Sequence, residues 1–103
     1  MPNKNTTQVV CIAEFFAKEG KTDELIDALH VLMKPTHAEL GCIRYELNQR
    51  ADQPNSITFI EKWKDKQAFD EHCATPYIAI FFDQVRPRLV DHFEVKLYEE
   101  ILP

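Results

Sequence analysis

Within residues 56–77, SITFIEKWKDKQAFDEHCATPY, a carboxylate, an indole and an imidazole fall close enough to act on one ligand. Residues 56–63 are rich in β-branched and aromatic types, and pleat alternation puts Ile57, Phe59, Glu61 and Trp63 on one face of a strand. Asp65 can cap a following helix, because its carboxylate can accept from the free N–H groups of the first turn. Three- and four-residue spacing gathers Phe69, His72 and Cys73 on one side of that helix. Thr75-Pro76 ends it, since a residue before proline avoids the α region. Folding the helix back over the strand brings His72 towards Glu61 and Trp63. An imidazole with an ordinary pKa of about 6.5 can take a proton at neutral pH. Trp63 offers a flat wall to an aromatic ligand. Glu61 shares an apolar face, where a carboxylate is costly unless paired, so it can orient His72 or accept a proton.

Each residue also has a plainer role. His72 can cap or hydrogen-bond at a subunit edge, Trp63 can fill the gap between sheet and helix, and Glu61 can pair with Arg44, Lys96 or Arg86. Tyr77 and Tyr45 can bond a substrate oxygen or simply satisfy their hydroxyls in a core. Phe69, Phe81 and Phe82 read first as core, with one at a pocket mouth. His37 could line the same cavity, although a surface or dimer edge suits it better; His30 and His92 read as structural. The histidines at positions 30, 37, 72 and 92 include no i,i+4 pair, and no Cys-x-x-Cys occurs, so no metal is expected. Cys73 is a poor nucleophile for His72 to activate, because adjacent helical side chains point about 100° apart. Haem needs only one axial histidine, and His72 would serve, but nothing else marks a haem pocket.

These groups need a frame. Residues 8–16 read as a first strand, apolar on both faces, with Val9, Cys11, Ala13 and Phe15 on one of them. After a turn at Lys18–Lys21, Thr22 or Asp23 is expected to cap a helix running to about Glu39. Its stripe is Leu25, Leu29, Leu32, Thr36 and Leu40, widened by Ile26, Met33 and His37. Pro35 should kink this helix, and Gly41 should end it at a positive φ. Residues 42–48 form a second strand, with Ile43, Tyr45 and Leu47 on one face. A polar connection leads to the Trp63 strand. Beyond Pro76 a further helix is expected from Tyr77 to about Leu89, ended or bent by Pro87. Residues 91–99 alternate as a last strand. The order strand, helix, strand, strand, helices, strand makes an α+β split unit: a four-stranded antiparallel sheet with helices on one face. Because the first strand is apolar on both sides, a second copy is expected to cover the open face, giving a homodimer.

The 103 residues suit a single domain, 45% hydrophobic with seven Phe, which argues for a folded core. A net charge of -5 speaks against nucleic acid. Three cysteines without metal spacing suggest reduced thiols and a cytoplasmic protein. No run is long enough to span a bilayer, so no membrane partner is expected.

Taken in order, Gly20…Glu24, Pro35-Thr36, Glu39-Leu40-Gly41-Cys42-Ile43-Arg44-Tyr45, Glu61-Lys62-Trp63, Ala68-Phe69, His72 and Thr75-Pro76 resemble the antibiotic biosynthesis monooxygenase domain. The resemblance runs from about Val9 to Tyr98 and is nearest to the quinol monooxygenase-like branch. It implies ferredoxin-like βαββαβ subunits joined as a dimeric α+β barrel. It also implies oxygenation of a quinol, polyphenol or related aromatic by molecular oxygen without a cofactor. Carried onto this chain, it makes His72, Glu61 and Trp63 the catalytic candidates, with Tyr77, Tyr45, Phe69, Phe81 and His37 around the substrate. Members of that branch often have a second histidine directly after Thr-Pro, where this chain has Tyr77.

Overall fold

The structure, a computed structural model, describes residues 5–103. Its sheet has the order β2-β3-β1-β4, with β1 (Asn5–Ala17), β2 (Cys42–Gln49), β3 (Ser56–Trp63) and β4 (Val90–Ile101), and every neighbouring pair is antiparallel. This is the ferredoxin-like α+β arrangement. Register places Cys11 opposite Glu61 and Leu97, Ala13 opposite Phe59 and Val95, and Phe15 opposite Ile57 and Phe93. Those rows face the helices, and the rows of β1 and β3 on that face are buried. The opposite face mixes half-buried Val10, Ile12, Phe16 and Ile60 with Glu14, Thr58 and Lys62. It is less apolar than the first strand alone suggests.

The first helical region is two helices: α1 (Thr22–Val31) and α2 (Met33–His37). The break falls at Leu32, before Pro35, because Pro35 has no N–H to give the carbonyl of Val31. Leu25, Leu29, Leu32 and Thr36 are buried as the stripe requires, but Leu40 lies beyond the last turn and is fully exposed. No side chain caps α1; Lys21 holds the N-cap position. Gly20, at φ +75°, makes the turn before it.

Gly41 serves differently from the positive-φ stop that its place after a helix suggests, since Gly20 is the one described glycine with positive φ. A Cβ at Gly41 would lie 2.3 Å from the Cβ of Ala68 on α3 (Lys66–Cys73). The glycine is there so that α3 can approach the backbone leading into β2. Just beyond it, a register shift between Cys42 and Arg44 turns Ile43 out to solvent, while Tyr45 and Leu47 stay on the helix face. Such a bulge moves one residue off an otherwise alternating face.

Asp65 caps α3, accepting from Ala68 N–H at 2.8 Å. Pro76 opens α4 (Pro76–Ile80). The expected long helix then loosens into a π-helical turn, Phe81–Val85, before α5 (Arg86–Leu89). Pro87 accounts for the change: it cannot donate, and Arg86 N–H reaches back to the carbonyl of Phe81 instead. The carbonyl of Phe82 accepts from Arg86 Nε at 3.1 Å.

Replacing Gly41 with Ala is expected to cost about 1–3 kcal/mol, the usual penalty for forcing a methyl group into a filled space. Urea denaturation measures it. Pairing it with Ala68→Gly should recover part of that loss, because the obstructing methyl is gone; an additive double variant would show that the two sites do not meet.

Candidate active site

Between the sheet and the helices lies a mostly apolar cavity of about 70 Å³. Its floor is Cys11, Ala13, Phe59 and Glu61, and its roof includes Phe69 and His72. Tyr45, from β2, closes one side. At the other, Phe15 meets Phe81 edge-on at 5.5 Å, and Phe82 and Val95 complete the wall. A single aromatic ring occupies an apolar cavity of roughly 150 Å³, so this one is too small for a ring as it stands.

His72 is almost wholly buried on α3. Its Nδ1 lies 2.9 Å from Oε2 of Glu39, a residue in the connection between α2 and β2. The hydroxyl of Tyr77 donates to the same oxygen. Nε2 has no partner among the described residues, so the ring offers one nitrogen that is held and one that is open. Burial lowers the pKa of His72, opposed by its bond to Glu39 and the charge of that carboxylate. The imidazole is therefore neutral at neutral pH.

Glu61 is buried as well, and its partners are not the cations that its strand position suggests. Arg44 pairs with Glu46 and Lys96 with Glu94, while Arg86 turns to Phe82. Glu61 instead accepts from the indole N–H of Trp63 at 2.9 Å and lies opposite the buried thiol of Cys11 in the sheet. Neutral neighbours do not offset the loss of water, so burial pushes the carboxyl up to about 7. A neutral histidine and a carboxyl that is largely protonated below neutrality thus border one space. Pairs whose surroundings push their pKa values towards inverted roles are the arrangement that acid–base chemistry requires.

Trp63 is packed against His72, with ring centroids 4.4 Å apart, but it stands behind the cavity wall and does not line it. It fixes Glu61 and backs His72. Tyr45, Phe69 and Phe81 do line the cavity. Tyr77 does not; its hydroxyl is spent on Glu39, and burial followed by the influence of Glu39 pushes its pKa up to about 12, so it is a donor and no base. Burial raises the phenol of Tyr45 further still. His37 lies apart, exposed, with Nε2 at 2.8 Å from the backbone oxygen of Tyr45. Cys73 is exposed yet reaches the cavity rim; burial of its thiol and the nearby charge of Glu61 raise it to about 11, which keeps it protonated and unreactive. The residue that sequence spacing missed is Glu39. Nothing in its local pattern separates it from a helix-terminal surface glutamate, and its partners lie 33 and 38 positions away. No cluster of His, Cys, Asp or Glu suited to a metal occurs among the described residues.

Known proteins match both fold and sequence. The family model of the antibiotic biosynthesis monooxygenases matches residues 8–84, and the chain belongs to that family. Protein SO0527 of Shewanella oneidensis, a solved structure, is 50% identical, with TM-score 0.95 over 96% of each chain. Rv0793 of Mycobacterium tuberculosis superposes with TM-score 0.85 at 27% identity, covering 93% of this chain and 97% of its own. By sequence it is 32% identical over 80 residues, 78% of each protein, and carries the name "Putative monooxygenase Rv0793". The Synechocystis protein sll1783 is 30% identical over 91 residues, 88% of this chain; the match spans 62% of that longer protein, less than two thirds. No helix among the described residues is long and apolar enough to cross a membrane.

The state of Glu61 has a measurable consequence for stability. Its carboxyl titrates at about 7 in the fold and near 4.5 when exposed. Between those values the folded state holds a proton that the unfolded chain has released, so stability falls as pH rises through this window and levels off above it. The full loss is about 3 kcal/mol, at 1.36 kcal/mol per pKa unit. His72, with its lowered pKa, acts in the opposite sense and only below its unfolded value. Urea denaturation from pH 4.5 to 8 should show the decline in the native protein and little of it in Glu61→Gln. An unchanged slope in the variant would assign the effect to other groups.

Proposed function

We propose that this protein is a cofactor-independent monooxygenase that oxidises a quinol, a polyphenol or a related aromatic with molecular oxygen. The observation that carries the reading is the pairing of His72 and Glu61 at one small, mostly apolar cavity. Family membership supports oxygenation as the class of chemistry.

The steps balance without a further reactant. Nε2 of His72 takes the phenolic proton, leaving an electron-rich anion in a space where water does not dissipate its charge. The anion gives one electron to oxygen, and recombination of the resulting pair forms a carbon–oxygen bond to a ring carbon that bears hydrogen. Glu61 protonates the distal oxygen. Its carboxylate then removes the hydrogen of that carbon as a proton while the O–O bond breaks, giving a carbonyl and hydroxide. The imidazolium of His72 protonates the hydroxide to water. One oxygen atom enters the substrate and one leaves as water, and both residues return to their starting states.

A ring can enter only if the cavity widens. Phe82, Val95 and, at the rim, Cys73 are the lining residues that retain exposure, so entry on the side of Phe82 and Val95 disturbs little packing. A haem macrocycle would require the helices to part from the sheet, which disfavours a haem role for His72. We further propose that the protein works as a cytoplasmic homodimer. Two uncovered surfaces support association: the mixed sheet face, and the row Phe93, Val95 and Leu97 on β4, each about 40% exposed.

Oxygen consumption by the purified protein with a panel of quinols tests the activity. Turnover above the spontaneous rate is expected, falling by about 10²- to 10⁴-fold in His72→Ala, the range that a general base contributes. Equal rates with and without His72 would overturn it. Light scattering at micromolar concentration should give the mass of two chains; a monomer would remove the dimer.

A further inference from the structure

A histidine can act as a base only through a nitrogen that carries no proton, and a buried neutral ring has its proton on one nitrogen or the other. In this site the choice is made from outside the cavity. Glu39 is not among the cavity-lining residues; it lines a separate groove with Leu40, Lys64 and Thr75 on the outer surface. Its side chain is 17% exposed, against 5% for His72, and it meets Nδ1 of that ring at 2.9 Å. An ionised carboxylate is an acceptor only, so the hydrogen of this bond must sit on Nδ1. Tyr77 donates to the same oxygen, restricting where the carboxylate can point.

We propose that Glu39, held by Tyr77, is a positioning residue that fixes the proton of His72 on Nδ1 and thereby keeps Nε2 bare. The role rests on the oxygenase reading for its catalytic meaning, although the geometry it asserts does not. Glu39 touches no bound substrate; it acts through the ring. The arrangement divides the work between compartments. The acceptor that orients the base remains in contact with solvent, while the base itself lines the apolar cavity. Tyr77, with its raised pKa, supplies a permanent donor. The bond also restrains α3 against the segment between α2 and β2, so the ring cannot rotate away when the cavity widens.

Glu39→Ala separates this role from simple packing. A carboxamide would not, because its oxygen can accept from Nδ1 and from Tyr77 as the carboxylate does; with the acceptor removed, the imidazole returns to its intrinsic preference for a proton on Nε2, and the base becomes a donor. Nitrogen-15 NMR of histidine-labelled protein reads the tautomer directly. The native protein should show His72 protonated on Nδ1. Glu39→Ala should show chiefly the reverse, with kcat for quinol oxidation down roughly 10²-fold and KM little changed. Tyr77→Phe should keep the native tautomer and lose only a few-fold in kcat. A native His72 protonated on Nε2, or an unaltered tautomer in a folded Glu39→Ala protein, would overturn the proposal. If that variant does not fold, the tautomer of the native protein and of Tyr77→Phe decides the matter. The expected tautomers without any oxygen uptake by the native protein would leave the role of Glu39 standing and remove the oxygenase reading instead.

Discussion

One hydrogen bond joins parts of the chain that the sheet does not join. Glu39 lies in the connection to β2, and His72 lies near the end of α3; their contact fixes the roof of the cavity over its floor. Without it, α3 would be held chiefly by its cap at Asp65 and by its packing against β1 and β3 through Ala68 and Phe69. Those contacts set the height of the helix but not the orientation of one ring upon it. The close approach at Gly41 works towards the same end, because it brings the backbone after Glu39 against Ala68, one turn before His72. A missing methyl group and one side-chain hydrogen bond thus position the same few atoms.

Beneath that roof, Glu61 illustrates how a sheet can hold a carboxyl that helices and solvent do not stabilise. Trp63, two residues along β3, gives it a hydrogen bond, Cys11 lies directly across on β1, and neither carries charge. A cation in either position would have formed an ion pair and pulled the carboxyl down to its usual range. The indole, which looks like a wall for substrate when only the sequence is considered, has this second task. It is fully buried, it supports the ring of His72 from behind, and it gives Glu61 a neutral donor.

Much of this frame is legible in the chain itself, for physical reasons that differ by element. The face of β3 is readable because strand periodicity is two and the residues alternate without a fault. The cap at Asp65 and the start at Pro76 are local, one-turn effects, and local effects survive in sequence. Burial of Leu25, Leu29, Leu32 and Thr36 follows from helical spacing alone. The failures occur where geometry departs from the regular repeat. Ile43 leaves its face through a bulge, and the π-helical turn before Pro87 shifts every later residue around the axis, whereas the break ahead of Pro35 follows from the proline itself. Gly41 is recognisable as special, but the reason, a neighbour 27 positions later, is not local. The site divides in the same way. His72 and Glu61 stand out because a polar group on an apolar face needs an explanation, whereas Glu39 sits where glutamate is unremarkable and acquires its meaning only from long-range contacts.

The placement of β4 has a consequence of its own. Val95 forms part of the cavity wall, yet it belongs to a strand whose helix-side row is left open to water. Any surface that settles on that row, a second chain included, presses on the outer side of the enclosure around His72 and Glu61. Occupancy of the interior and occupancy of the strand's outer side are then thermodynamically linked: each alters the free energy of the other by the same amount, whichever comes first. The compartment in which the proposed chemistry would occur is, on one side, only as closed as its neighbourhood makes it.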